Sequence, residues 1–429
     1  MPMKRVLLSL FILGYTVCVL SLKAQTIPIP QKNVFLPNPF KIKEGIAIFV
    51  DFKQAKYQII YDIPRKKVYY LATIQFQSYY NGNPVFDVVK NPKKILLNGF
   101  PVSARPVVTP DQETTVRVLN RSVIPGIYEM IIEGEIEHDV TFERNGSVSS
   151  GFWYNDQVDR SFLEKYLPTN LEYDQYKISI ELTQLGMQRQ QIIYTNGKIT
   201  PTDKPETILI DFPDYLNANS LYFHLLEEST TTEVSAKYTS PRTHKIIPVT
   251  IYGIMASQTD LTQAMNATLR ILTQLEVEIG PYPYEKLLIH LVPEDLGGVE
   301  YVSAVVSEQK NLRHEIFHQY LSRGFMPANG NAGWIDEAVA TWYDRNKPVN
   351  AEMKNNYNLA NQNTYTRTTD NKSYTHGVEF IAYLHQYLLS QGKGTGFMGY
   401  LQFIAGNRIN RLYTTQSFIQ DMENFIAFL

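Results

Sequence analysis

Two histidines four residues apart, and a glutamate after a gap of eighteen, tie separate helical segments of this chain to one point in space. The segment is 311–345, NLRHEIFHQYLSRGFMPANGNAGWIDEAVATWYDR. At 3.6 residues per turn, His314 and His318 project from one face of a helix and can share a cation. Glu315 lies between them, where a carboxylate stands beside a water on that cation and accepts its proton as general base. Residues 319 to 336 separate His318 from Glu337, which opens a second helical pattern, WIDEAVATWYD. The Gly-, Asn- and Pro-containing loop 324–333 lets the second helix pack antiparallel beside the first. Two histidines and one glutamate leave a fourth position free for water, which is the pattern of a catalytic zinc ion. The competing reading is a plain helix face; the spacing of Glu337 and a tryptophan three residues before it weigh against that.

At the N-terminus, residues 1–25 begin with Lys4 and Arg5 and continue as an uncharged, mainly apolar run from Val6 to Leu22. That is the pattern of a signal peptide, so export to a periplasmic, extracellular or cell-surface site is expected. An uncleaved leader would instead act as a membrane anchor, since the run is near the lower limit for spanning a bilayer. The only cysteine, Cys18, falls inside this leader. The mature chain therefore has no disulfide or thiolate chemistry, and stability must come from a large hydrophobic core. A formal net charge of −2 without long like-charge runs gives no electrostatic footprint for a nucleic-acid partner. Oligomeric state is not encoded in any motif.

Residues 26–253 read as a β domain. Runs such as AKYQIIYD, KKVYYLATIQFQ, GIYEMIIEGEIEHDV and QYKISIELTQ alternate apolar with polar side chains between Asn, Gly, Pro and Asp turns. An antiparallel sandwich or saddle is expected. From 254 to 429 the period lengthens. Asp260 can cap a helix carrying Leu261, Met265, Leu269, Leu272 and Leu275, which ends at Gly280. Leu287 to Val292 reads as a strand leading to Gly297-Gly298, where glycines would let an extended peptide lie along a sheet edge.

The order of these elements resembles the alanyl aminopeptidase and leukotriene hydrolase family of gluzincin zinc peptidases along most of the mature chain. In that family a β saddle precedes a thermolysin-like catalytic domain, giving an α+β fold. Gly297-Gly298-Val299-Glu300-Tyr301 is similar to its Gly-x-Met-Glu-Asn strand-edge motif, HEIFHQ to its zinc helix, and WIDEAVATWYD to its Trp-Leu-Asn-Glu-Gly segment. PYPYEKLLIHLVPED and FLEKYLPTNLEYDQYKISIEL are weaker echoes, and Tyr374-Thr375-His376-Gly377 is similar to its Tyr-x-Lys-Gly motif. The resemblance implies one zinc ion held by His314, His318 and Glu337, with Glu315 activating water. It implies that Tyr374 donates to the oxyanion, that Glu300 binds the free amino end of a peptide, and that Gly297 and Gly298 belong to the strand edge along which the peptide lies. Asp344, beyond Glu337 on the same helical pattern, is read either as an outer acceptor for a ligand histidine or as an exposed carboxylate at the helix end.

Three departures bear on these roles. Tyr301 replaces the family's asparagine, His376 replaces its lysine, and no counterpart of the C-terminal helical domain of larger members precedes Leu429, which implies a more open cleft. The expected activity is hydrolysis of the N-terminal peptide bond. A zinc endopeptidase on the same scaffold, or a non-catalytic peptide-binding relative, are the alternatives.

Overall fold

The computed structural model describes residues 36–112, 114–152, 163–170, 175–321, 325–327, 332–350, 352–353, 357–360, 369–408 and 411–427. The leader expected over 1–25 lies outside them.

Strict alternation builds the first half. In the strand Asp51–Asp62, Ala55, Tyr57, Ile59 and Tyr61 are buried while Lys56, Gln58 and Ile60 face out. The strands Lys67–Ser78 and Gly126–Ile136 repeat this pattern and pair antiparallel, forming the centre of an eight-stranded sheet. Opposite Tyr70, position 134 must be glycine, because a Cβ there would run into the tyrosine ring. A five-stranded and a four-stranded sheet complete this half.

The expectation of a purely antiparallel arrangement is corrected at two places. Lys177–Leu185 runs parallel to Asp51–Asp62, and Gly45–Phe49 runs parallel to Asn83–Phe86. A period of two states which face of a strand is buried and says nothing of its direction, and long connections permit either.

A further sheet carries the second half. Its order is Thr231–Thr239, Ile246–Ile254, Leu287–Leu291, Ala304–Ser307 and Gly298–Tyr301, which leaves Gly298–Tyr301 as an edge. The chain thus changes sheets at residues 228–230, ahead of the boundary expected at 253. The lengthened period after 254 marks the first helix rather than the change of sheet. That helix, α1, spans Gln258–Glu278, and its cap is Ser257, whose hydroxyl accepts the Asp260 N–H at 3.1 Å. Asp260 therefore lies within the first turn, where its charge favours the helix dipole, instead of at the cap. Among the described residues the remaining α-helices are α2 (Leu312–His318), α3 (Gly333–Asp344), α4 (His376–Ser390), α5 (Phe397–Arg408) and α6 (Thr415–Ala427). One continuous apolar core runs from the first sheets into these helices.

The two halves meet at a buried aromatic stack. Tyr252, from the second half, lies between the rings of Tyr194 and His290, at centroid separations of 3.6 and 4.7 Å. Its hydroxyl bonds to His224 Nδ1 at 2.8 Å and to the Tyr222 hydroxyl. Beside it, the Lys286 ammonium donates to the carbonyls of Thr195 and Gly197 at 2.9 and 2.7 Å, and Asn196 donates to the Val302 carbonyl at 2.7 Å.

Burial holds both histidines of the stack neutral. His290 is lowered to about 4, and His224 is lowered by burial and by the nearby His290. An unfolded imidazole takes a proton below about pH 6.5, whereas the folded His290 refuses it until about pH 4. Stability is therefore complete above about pH 6.5 and is lost progressively as pH falls toward 4. His290 alone should cost roughly 2 kcal/mol between pH 7.5 and pH 5, and His290→Phe should remove that share of the slope. Denaturant melts of both proteins at the two pH values measure it.

Candidate metal centre

Helix α2 is short, with Leu312, Ile316 and Phe317 fixing its buried side. That orientation turns His314 and His318 toward α3, and their Nε2 atoms are 3.0 Å apart. Helix α3 is apolar nearly all round, with Trp334, Ile335, Ala338, Val339 and Trp342 buried, so it sits inside the core rather than on it. Gly377 lets α4 pack close, because a Cβ there would come within 2.6 Å of the Ala338 methyl. From α3, Glu337 Oε2 points to the two rings, 3.6 Å from Nε2 of His314 and 3.8 Å from Nε2 of His318.

Among the described residues this oxygen is buried without a hydrogen-bond partner. The point in the plane equidistant from the three atoms lies about 2 Å from each, which is the bond length of a divalent ion to imidazole and carboxylate. The residues present therefore fit a metal.

The electrostatics agree. Burial alone would keep His318 neutral, but the negative charges of Asp336, Glu300 and Glu337 outweigh it and raise its pKa well above the usual value. Burial likewise opposes ionisation of Glu337, yet His318, His314 and the Tyr374 hydroxyl, which bonds to it, hold its pKa below the ordinary glutamate value. A bound divalent ion would take over from the proton as the counter-charge of this acidic cluster.

Around this point stand the other expected residues. Glu300, Glu315 and His318 bring ligand-type atoms within 4.8 Å of one another, and all three are buried. Glu315 lies against the edge strand at Gly298, where any Cβ would collide with its carboxylate. Tyr374 ends a 3-10 turn, Asn371–Tyr374, beside Glu337. Gly297 has φ +74° and its N–H donates to the Glu308 carboxylate at 2.6 Å, so its amide is committed within the protein.

No family sequence model matches this chain, and a search of curated proteins finds no match. Solved structures do match. The M1 zinc metallopeptidase of Deinococcus radiodurans superposes with a TM-score of 0.58 at 15% identity, over 88% of this chain and 90% of that one. Its mutant bound to a Tyr-Ser-Ala substrate gives 0.60 at 16%, over 88% and 91%. Native yeast LTA4 hydrolase gives 0.60 at 12%, over 88% of this chain but 65% of its own. The fold is that of the M1 zinc metallopeptidases.

On this M1 fold two residues acquire parts that sequence reasoning missed. Asp336, next to Glu337, bonds through Oδ1 to His318 Nδ1 and so directs Nε2 at the centre. Of the two readings of Asp344, the structure shows the exposed carboxylate at the helix end; a step of seven residues along α3 returns to nearly the same face as Glu337, but the helix has by then left the site. Gln319 is fully buried, accepts the Ser303 N–H at 2.8 Å and donates to the Tyr301 carbonyl at 2.9 Å, fastening the edge hairpin to the histidine helix. A polar residue directly after the second histidine was the available signal. Tyr301 packs its ring on Tyr222 at 5.0 Å, and His376 Nδ1 is 3.8 Å from Glu379 Oε2 on its own helix.

Asp336→Ala should weaken retention of a divalent metal by about 10–100-fold, while Asp344→Ala leaves it unchanged. Chelator competition on purified protein measures both.

Proposed function

We propose that this protein is a zinc metallopeptidase of the M1 type, exported and acting as an aminopeptidase, with the sheet that begins at Thr231 and the helices after it as its thermolysin-like catalytic domain. The observation that carries this reading is the convergence of the His314 and His318 nitrogens with a Glu337 oxygen that has no hydrogen-bond partner among the described residues, beside the edge strand of a sheet. One zinc ion held there would supply Lewis acidity to the peptide carbonyl and lower the pKa of a water.

The chain's own groups supply the rest. A peptide pairs with the outer side of the strand Gly298–Tyr301, which fixes its backbone. Glu315, held against Gly298, takes a proton from the attacking water and returns it to the leaving amine. The Tyr374 hydroxyl donates to the oxyanion that develops on the carbonyl, a contribution of about 2–4 kcal/mol for a well-aimed donor. Glu300, 4% exposed, is a buried carboxylate at the far end of the strand. The α-ammonium of a substrate gives it a cationic partner, and that pairing admits only the first peptide bond to the reacting groups. The acidic surroundings of the site, Glu300, Glu315, Asp336 and Glu337, favour a cationic amino end over a blocked one.

The likeness to an M1 enzyme holding a Tyr-Ser-Ala peptide supports a peptide as substrate here. The test is a digest of matched peptides with free and acetylated amino termini, read by mass spectrometry. Loss of single residues from the free peptides only is expected; equal internal cleavage of both sets would make the protein an endopeptidase and Glu300 a structural residue. Glu315→Gln is expected to keep zinc by metal analysis while turnover falls about 10²–10⁴-fold.

A further inference from the structure

Tyr374 stands on a short support. The 3-10 turn Asn371–Tyr374 has four residues, and a turn of that length is marginal by itself. It is tied down from two sides. Toward the core, Ser373 is fully buried, and Gly377 seats the start of α4 on α3. On the outer side Asp370 caps the turn: its Oδ1 accepts the Lys372 N–H at 2.9 Å, and its carbonyl accepts the Ser373 N–H at 2.8 Å. The second carboxylate oxygen, Oδ2, accepts the Tyr357 hydroxyl at 2.5 Å. The Lys372 ammonium lies 3.8 Å from the centre of the Tyr357 ring. One tyrosine, thirteen residues before the cap, thus holds both the cap and the second residue of the turn. Burial opposes ionisation of Asp370, yet the Tyr357 hydroxyl, the Lys372 N–H and the charges of Lys372 and His376 hold its pKa below the ordinary aspartate value.

Tyr374 is the last residue of this turn, and its hydroxyl meets Glu337. A phenol is a long lever, so a small rotation of the turn carries its oxygen off target, and a misplacement of about 1 Å can cost about 100-fold in rate. On the zinc peptidase reading, on which this inference rests, that oxygen has to reach the oxyanion. Asp370 and Tyr357 take no part in the chemistry themselves, because the carboxylate and the hydroxyl are committed to the turn and to each other. We propose that Asp370 and Tyr357 are positioning residues, which fix the turn 371–374 so that the Tyr374 hydroxyl is aimed at the oxyanion of the transition state. Their effect falls on kcat, since the oxyanion forms only after the substrate has bound.

The test is a double-mutant cycle on the zinc-loaded full chain. Asp370→Ala should lower kcat about tenfold with KM within about twofold, and Tyr357→Phe should lower it about threefold. Asp370→Asn, which keeps an acceptor for the Lys372 N–H, should recover most of the loss. In a Tyr374→Phe background, Asp370→Ala should cost nothing further. A merely structural Asp370 would cost the same in both backgrounds, and that result overturns the proposal, as does a loss of kcat matched by a loss of zinc. Two readouts need no turnover. Calorimetric binding of a dipeptide phosphinate, whose tetrahedral anion imitates the developing oxyanion, should weaken about tenfold in Asp370→Ala and be insensitive to it in the Tyr374→Phe background. Hydrogen exchange over residues 371–375 of the metal-free protein should speed up in Asp370→Ala and return in Asp370→Asn; unchanged exchange overturns the clamp. If no peptide is cleaved while phosphinate binding still shows the coupling, the positioning stands and the peptidase reading falls.

Discussion

Three electron-pair donors, His314 Nε2, His318 Nε2 and Glu337 Oε2, face one another inside a protein core at separations of 3.0 to 3.8 Å. Such a cluster is costly unless something positive occupies its middle, because each group has given up water on burial. Without a metal, a proton on His318 meets part of that need, which is why the charges of Asp336, Glu300 and Glu337 raise its affinity for one. With a divalent ion the same charges become ligand and support. The packing of α2, α3 and α4 around this point, down to the lack of a side chain at Gly377, can be understood as the means of holding three donors at bonding distance.

The second dependence is between the metal centre and the sheet edge. Four devices hold the strand Gly298–Tyr301 in place: the absence of a Cβ at Gly298, the Gln319 amide bridging Ser303 and Tyr301, the Glu308 carboxylate accepting the Gly297 N–H, and the antiparallel register with Ala304–Ser307. Each acts on backbone, so the strand is positioned independently of its own side chains. On the proposed function, a peptide added to that edge would meet Glu315 and the candidate metal ligands in a geometry set before it arrives, which reduces the entropy lost on binding. The aromatic stack around Tyr252 does the corresponding work at larger scale, seating the first sheets on the sheet that carries this edge.

Much of the site was legible because local spacing governs it. An i, i+4 pair of histidines must share a helix face, and the turn chemistry before Gly297-Gly298 marks a strand end whatever surrounds it. Asp336 was less legible, since adjacency to Glu337 places it about a hundred degrees around the helix, and only the position of His318 on another helix makes that direction useful. Gln319, Glu308 and the Ser257 cap were overlooked for a similar reason: polar side chains that bond to backbone leave no periodic trace.

The sequence by itself determined which segments are strands and which are helices, which faces of them are apolar, and which residues could bind a cation, because all of these follow from side-chain chemistry at fixed local periods. Strand direction, the change of sheet at 228–230, and the choice of Asp336 over Asp344 were decided only by tertiary structure. They depend on contacts between residues far apart in the chain, where the distance between two side chains is set by packing and not by the number of residues between them.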